Sequence, residues 1–229
     1  MMRTARNTRC LSLFYGGNRM SESYKTIAQA ATAEFTEKKS RFIGHIFPIE
    51  REEQAMELIA RLKKEYWDAR HNTYAYVLRG GMLRRFSDDG EPQGTAGMPM
   101  LDVLVKNELE DCLVVVTRYF GGILLGTGGL VRAYSHATAL AIEAAGIVQM
   151  LPCRLGCVRC PYPMYQALTA LIEECGGKVA AQDFADAVTV SYEMPLTDES
   201  AFDEKLTDMS AGTLSAEKGD GVTRPFPVG

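Results

Sequence analysis

Two glycine-containing segments hold most of the residues that could do chemistry. The first, SDDGEPQGTAGMP at residues 87–99, brings Asp88, Asp89, Glu91 and Thr95 close together. Neighbouring carboxylates could hold a hard cation, or one of them could act as a general base. The same residues also suit an ordinary acidic turn, since turns favour aspartate, glycine and proline. Because no EF-hand or other fixed ligand spacing is present, the sequence predicts neither a metal nor a cofactor here.

The second segment, TRYFGGILLGTGGLVRAY at residues 117–134, is typical of a strand that leads through a glycine-rich loop into a helix. This geometry aims backbone N–H groups at an anion. We therefore predict a phosphate or nucleic-acid contact made by Arg118, Gly121, Gly122, Gly128, Gly129 and Arg132. The segment has neither the Lys-Ser/Thr of a Walker A loop nor the spacing of a dinucleotide fingerprint. A loop whose glycines serve only close helix packing is the structural alternative.

The two segments carry opposite charges, which predicts that they meet in space. Asp88, Asp89 and Glu91 would face Arg118 and Arg132, and together they would form one functional surface. Loops held by a rigid scaffold are where binding residues concentrate. If any of these ion pairs is buried, removing one partner should cost about 3–5 kcal/mol.

Histidine and cysteine offer weaker candidates. His71, before a predicted strand, could be a general base, but no nucleophile accompanies it. Cys153, Cys157 and Cys160 have the C-x-x-x-C-x-x-C spacing of an iron–sulfur motif, yet they fall on one predicted strand. Side chains alternate along a strand, so the third thiol would face away from the other two. We expect no metal cluster there, and the cysteine spacing favours reduced thiols in the cytoplasm.

Net charge limits how the protein could bind nucleic acid. The 229 residues carry a formal charge of −4. Residues 1–19 hold 4 basic side chains and no acidic one, residues 20–146 hold 15 basic and 17 acidic, and residues 147–229 hold 6 basic and 12 acidic. A chain this acidic cannot rely on general phosphate attraction. Binding would need a local patch, for which the candidates on neighbouring predicted strands are Lys38, Lys39, Arg41, Arg79, Arg84 and Arg85. An ordinary solvated face is an equal or better interpretation of these residues. No apolar run approaches the ~20 residues needed to span a bilayer, so we expect no membrane contact.

Hydrophobic periodicity predicts two successive α+β domains. The first contains a hairpin at 25–49, helices at 51–66, 97–107 and 130–146, and strands at 73–80, 82–88 and 112–120. In the second, strands at 151–160, 178–185, 187–194 and 213–218 and helices at 163–175 and 198–210 give the β-α-β-β-α-β order of a ferredoxin-like domain. The predicted boundaries are 1–19 for an unstructured leader or upstream start, 20–146 and 147–218 for the domains, and 219–229 for a loose tail.

Several blocks of the sequence resemble the YigZ/Impact family. FSDDGEPQGTAGMPML (86–101) and VVVTRYFGGILLGTGGLVRAY (114–134) are similar to its two signature blocks. EKKSRFIGH (37–45), HNTYAYVL (71–78) and LTDMSAGT (206–213) are also similar, so the resemblance covers about residues 20–215. It implies an N-terminal domain of the left-handed βαβ type, shared with a small-subunit ribosomal protein, elongation factor G domain IV and the GHMP kinases. It also implies a ferredoxin-like C-terminal domain similar to elongation factor G domain V. One departure is Leu124, where the family often has a lysine.

The resemblance implies a cytoplasmic protein that binds nucleic acid or the ribosome and is linked to the regulation of translation. Eukaryotic members, which are similar only in the N-terminal half, regulate translation under amino-acid stress. RNA, the ribosome or a protein of translation is thus the expected partner, and binding is favoured over catalysis. One alternative is an enzyme for a small phosphorylated or nucleotide ligand, with Asp88 or Asp89 as base or magnesium ligand. Another is a protein-interaction module without a small ligand.

Overall fold

The computed structural model describes residues 22–79 and 83–228 and divides the chain into two compact units. The first unit spans Tyr24–Met150, together with the described residues from Pro225 onward, and the second spans Leu151–Arg224. Each unit combines strands with helices, so the predicted two-domain α+β class is confirmed. The expected leader at 1–19 lies outside the described residues, as do residues 80–82, where the strands expected at 73–80 and 82–88 come together. Within the described ranges, no helix is long and apolar enough to cross a bilayer.

The first unit is built on a five-stranded antiparallel sheet. The strands of this unit are β1 (Tyr24–Ile27), β2 (Ala31–Glu37), β3 (Ser40–Pro48), β4 (His71–Leu78), β5 (Leu83–Ser87) and β6 (Cys112–Tyr119). Its helices are α1 (Glu52–Glu65), α2 (Gly97–Lys106) and α3 (Thr127–Ala145). The strand order in the sheet is β2-β3-β6-β4-β5, whereas β1 pairs separately with residues 147–150. β6 therefore lies at the centre of the sheet, with two strands on each side.

Helices cover both faces of this sheet, which explains why β6 is apolar at successive positions. α1 shares a core with Leu113 and Val115 of β6 on one face. α2 and α3 share a second core with Val114 and Val116 on the other face. A strand buried on both sides needs apolar residues throughout instead of at alternate positions. The core thus holds the ends of β6 and its neighbours in fixed positions.

The second unit has the predicted ferredoxin-like topology. Its strands are β8 (Lys178–Phe184), β9 (Val188–Pro195), residues 151–160 of β7 (Ile147–Cys160) and residues 216–224 of β10 (Ala216–Pro227). Its helices are α4 (Tyr165–Glu174), which follows a 3₁₀ turn at Tyr162–Met164, and α5 (Glu199–Ser210). β9 lies between β7 and β8 and is antiparallel to both, while β10 pairs with β7. Alternate residues of β9, from Val188 to Met194, point into one core with residues of α4 and α5.

Two expectations about element boundaries are wrong. Residues 219–229 were expected to form a loose tail, but β10 continues through this segment as far as Pro227. Glycine and proline favour loops, yet pairing with the distant strand β7 orders the segment, and a strand at an edge tolerates proline. α3 begins at Thr127 instead of residue 130, so Gly128 and Gly129 lie in its first turn.

Candidate functional site

Both segments predicted to carry chemistry lie at one end of the first sheet. β3 begins where β6 ends, because Arg41 is paired with Tyr119. β4 begins at the same end, since His71 is opposite Arg118. β5 is antiparallel to β4 and therefore ends there too. The loops after β5 and β6, the turn between β2 and β3, and the connection from α1 to β4 all meet at this end.

Asp88 holds the loop after β5 in shape. Its carboxylate accepts three backbone hydrogen bonds of 2.8–3.0 Å, from the N–H groups of Gly94, Ala96 and Gly97. These amides include the start of α2, whose own N-cap residue supplies no side-chain hydrogen bond, so Asp88 caps that helix from a distance. Thr95 is buried and donates its hydroxyl to the carbonyl of Pro92 at 2.6 Å. Asp88 and Thr95 therefore order the loop, and both carboxylate oxygens of Asp88 accept backbone hydrogen bonds.

Asp89 ties the same loop to α1 and β4. Its backbone has a left-handed φ of 45°, and its carboxylate accepts hydrogen bonds from Lys63 Nζ at 2.6 Å and the Asn72 N–H at 2.7 Å. The carbonyl of Asp89 accepts a 2.8 Å hydrogen bond from Nδ1 of His71, so that nitrogen carries the proton. His71, the candidate general base, is thereby fixed in one orientation against the loop.

Glu91 joins the two segments through a buried ion pair. Its Oε1 atom lies 2.5 Å from Arg118 Nη1 and accepts a 2.8 Å hydrogen bond from the hydroxyl of Tyr134 in α3. His71 Nε2 lies 3.7 Å from the same oxygen. Burial raises the pKa of Tyr134 far above its usual value and the charge of Glu91 adds to the shift, so the hydroxyl remains a donor. The expected meeting of the segments thus takes place at Glu91.

Arg118 does not have the exposed position that was expected of a phosphate ligand. Its side chain is 6% exposed and its charge is already paired with Glu91, which is 3% exposed. The guanidinium carbon lies 5.4 Å from the ring centroid of Phe42 and 5.6 Å from that of Phe120. The sequence could not reveal this, because an arginine at a strand end looks the same whether its charge is free or neutralised.

The glycine-rich loop after β6 packs against the turn between β2 and β3. A Cβ atom at Gly121 would overlap the backbone of Lys39, and the Gly121 N–H donates to Ser40 Oγ at 3.2 Å. Gly122 has a φ of +82°, in the left-handed region that glycine tolerates. This close approach explains why residue 121 is a glycine, since packing against the turn excludes a side chain there.

α3 begins directly after this loop without a side-chain cap. Its N-cap residue is Gly126, which has no side chain to bond the first amides, and Gly128 and Gly129 follow in the first turn. Arg132, one turn later, is exposed, and its Nη1 lies 4.0 Å from the position a Cβ of Gly128 would take. The Arg132 guanidinium therefore extends back towards the start of α3.

Four exposed cations at this end form a group that motif analysis only partly found. Lys38 and Lys39 form the turn between β2 and β3, with φ values of 45° and 64°. Arg70 lies just before β4, and Arg132 lies near the start of α3. Within residues 22–79 and 83–228, none of the four makes an ion pair with an acidic side chain. We call Lys38, Lys39, Arg70 and Arg132 the basic end surface.

The wider basic patch predicted from neighbouring strands is wrong. β3 and β5 are separated by β6 and β4, so Arg84 and Arg85 of β5 lie across the sheet from Lys38 and Lys39. Arg41 is paired with Glu34 at 2.5 Å, and Arg79 contacts Asp111 at 3.2 Å. Strand order, which depends on long-range pairing, decided which cations share a surface.

The candidate cysteine motif lies on β7, as expected. Cys153 and Cys160 are buried, and Cys157 is half-buried, with its Sγ 3.8 Å from Glu217 Oε2. Burial raises the pKa of Cys153 to about 11. In the part of the chain that the structure describes, no group of three or more histidine, cysteine, aspartate or glutamate residues is arranged to hold a metal ion.

Comparison with known proteins gives consistent matches over most of the chain. The family model for the Impact N-terminal domain matches residues 38–142, and the model described as a domain of unknown function (DUF1949) matches residues 158–213. The IMPACT family member YvyE of Bacillus subtilis (strain 168) is 35% identical over 202 residues, which cover 88% of this chain and 93% of that protein. The IMPACT family member YigZ of Escherichia coli (strain K12) is 36% identical over 196 residues, covering 84% and 96%.

A solved structure is also similar. It is described as the crystal structure of a hypothetical protein, is 35% identical in sequence and has a TM-score of 0.56. The match covers 86% of this chain and 97% of that one. The similarity therefore extends across both units.

Proposed function

The chain belongs to the IMPACT family, and on that premise we propose that it binds nucleic acid in the context of translation, through the basic end surface of its first unit. The family resemblance suggests the context. The surface suggests the chemistry, because clustered cations that lack acidic partners attract phosphate groups. The resemblance also makes RNA or the ribosome the proposed partner.

The observation that carries this proposal is the unequal pairing of opposite charges at one end of the sheet. Asp88, Asp89 and Glu91 are each hydrogen bonded to groups within the protein. In the described part of the chain, the cations of the basic end surface have no such acidic partners. Lys63 and Arg118 neutralise Asp89 and Glu91, so the four cations of the basic end surface keep their charge in an otherwise acidic chain.

The start of α3 would strengthen phosphate binding. The first amides of a helix lack intrahelical partners and carry a partial positive charge. Gly128 and Gly129 leave these amides open to a phosphate oxygen, and the Arg132 guanidinium extends towards them. Helix amides and side-chain cations would thus act on the same anion.

Binding is preferred over catalysis because the residues that an enzyme would require already hold the loop in shape. Both carboxylate oxygens of Asp88 accept backbone hydrogen bonds. Both oxygens of Asp89 are also engaged, one with Lys63 and the other with the Asn72 amide. A general base or magnesium ligand must be directed at the substrate or metal, whereas these two carboxylates are oriented by donors within the protein.

The test compares single cation replacements on the basic end surface with a matched control elsewhere in the first unit. Lys39→Gln, Arg70→Gln and Arg132→Gln should each weaken binding of a labelled, unstructured RNA oligonucleotide measured by fluorescence anisotropy. Each should also reduce the magnitude of the salt slope by roughly 0.7–0.9, because one phosphate contact is lost. The control Arg84→Gln, an exposed arginine of β5 across the sheet, should change neither.

Co-sedimentation with ribosomes, with and without nuclease, extends the test to a natural partner. The three variants should pellet less than the wild type, and nuclease should release the wild-type protein. Folded variants that all bind like the wild type, or an Arg84→Gln variant that loses as much affinity as they do, would refute the proposed surface.

A further inference from the structure

We infer that the basic end surface takes unpaired nucleotides, with the rings of Trp67 and Phe120 as stacking platforms for bases; this inference rests on the proposed function. Trp67 is the single tryptophan of the chain and is 81% exposed. Phe120, directly after β6, is 40% exposed. Large aromatic rings are usually buried, so exposed rings beside free cations point to a ligand that covers them.

Trp67 lies on a connection that hydrogen bonds hold in place. The Ala69 N–H donates to the carbonyl of Tyr66 at 3.0 Å, and the Arg70 N–H donates to the carbonyl of Arg118 at 3.1 Å. Asp68, next to Trp67, accepts a 2.8 Å hydrogen bond from the hydroxyl of Tyr119. The segment from α1 to β4 is therefore attached to the end of β6. A ring presented from a fixed backbone loses little entropy when it stacks on a base.

Phe120 has cations close to its ring. The guanidinium carbon of Arg70 lies 5.9 Å from the ring centroid, and that of Arg118 lies 5.6 Å from it. Arg118 is neutralised by Glu91, whereas Arg70 belongs to the basic end surface and retains its charge. A base stacked on the ring would thus bring its phosphate near an unpaired guanidinium. Rings combined with cations along a groove are the usual equipment of single-strand binding sites.

The charges favour a nucleic acid over an apolar protein segment as the occupant. Ile123 and Leu124 are exposed in the loop after β6 and could also contact a protein. Lys38, Lys39 and Arg70, at the same end of the sheet, favour an anionic partner instead. A duplex would satisfy the cations and leave the rings uncovered, because its bases are stacked inside the helix and cannot reach them. Unpaired nucleotides satisfy both the cations and the rings, since each nucleotide offers a phosphate to a cation and the π-face of its base to a ring.

The single tryptophan permits a direct experiment on the full-length protein. Trp67 fluorescence should be quenched on addition of single-stranded RNA, and less strongly by duplex RNA or inorganic polyphosphate at equal phosphate concentration. Single-stranded DNA of the same sequence distinguishes the two sources of unpaired bases. Trp67→Ala and Phe120→Ala should each weaken binding of single-stranded RNA by about 5- to 150-fold, the range expected for one lost stack. Trp67→Phe should retain most of the affinity, because it keeps a stacking ring.

Phe184→Ala is the matched control, since this ring is 54% exposed but belongs to the second unit, and it should leave binding unchanged. Equal affinity for single strands, duplex and polyphosphate, with no effect of Trp67→Ala, would overturn the stacking role and leave phosphate binding intact. Failure to bind any of these anions would instead overturn the proposed function. Anion binding that quenches no Trp67 fluorescence would assign the exposed rings to another partner and refute the inference.

Discussion

Replacing Glu91 by glutamine should destabilise the first unit by about 3–5 kcal/mol, because the Arg118 guanidinium would stay buried without its counter-ion. The two side chains are only 3% and 6% exposed, so water cannot replace the lost partner. Glutamine preserves the volume of the side chain, and its amide oxygen can still accept the hydrogen bond from Tyr134. The variant therefore removes the charge and little else.

The pair between Arg41 and Glu34 is a matched control. It is also an arginine–glutamate pair with a 2.5 Å contact in the first unit, but its side chains are 53% and 54% exposed. Glu34→Gln should cost far less than Glu91→Gln, because water solvates the arginine that remains. The two variants differ mainly in the burial of the charge that loses its partner.

Urea unfolding followed by circular dichroism measures both costs, with a separate transition fitted for each unit where two are resolved. The double variant Glu91→Gln/Arg118→Gln should lose less stability than the sum of the two single variants, since no isolated charge is left in the core. A loss for Glu91→Gln no larger than that for Glu34→Gln would refute the argument from burial.

Two further predictions concern packing and pH. Gly121→Ala should destabilise the first unit by about 1–3 kcal/mol, because its Cβ would overlap the backbone of Lys39. A Cβ at Gly128 would meet nothing closer than 4.0 Å, so Gly128→Ala should be neutral or stabilise by up to about 1 kcal/mol in the same urea unfolding experiments; equal effects of the two would contradict this. Burial lowers the pKa of His45, so as pH falls below about 6.5 the unfolded chain takes up a proton first and stability decreases. His45→Gln should flatten this dependence in urea titrations at several pH values, and an unchanged profile would exclude His45 as its source.

Local patterns in the sequence determined most of the elements and their order. The β-α-β-β-α-β order of the second unit follows from periodicities of 3.6 and 2, and β6 follows from an unbroken apolar run. Neighbouring residues express both patterns without help from the fold. The same reasoning failed at β10, where glycine and proline favoured a loop. Pairing with β7, a strand more than fifty residues earlier, overrode that local preference.

Sequence motifs also identified the two segments of the candidate site, since clustered glycines and charges are visible without a structure. The motifs could not show which of these charges are paired within the protein and which remain exposed. Arg118 and Arg132 look equivalent in sequence, but the fold buries Arg118 against Glu91, 27 positions away, and leaves Arg132 exposed. The fold likewise brought Lys38, Lys39, Arg70 and Trp67 to the same end of the sheet as the two segments. Tertiary structure decides such matters because burial and ion pairing are set by contacts between distant parts of the chain, which no local spacing records.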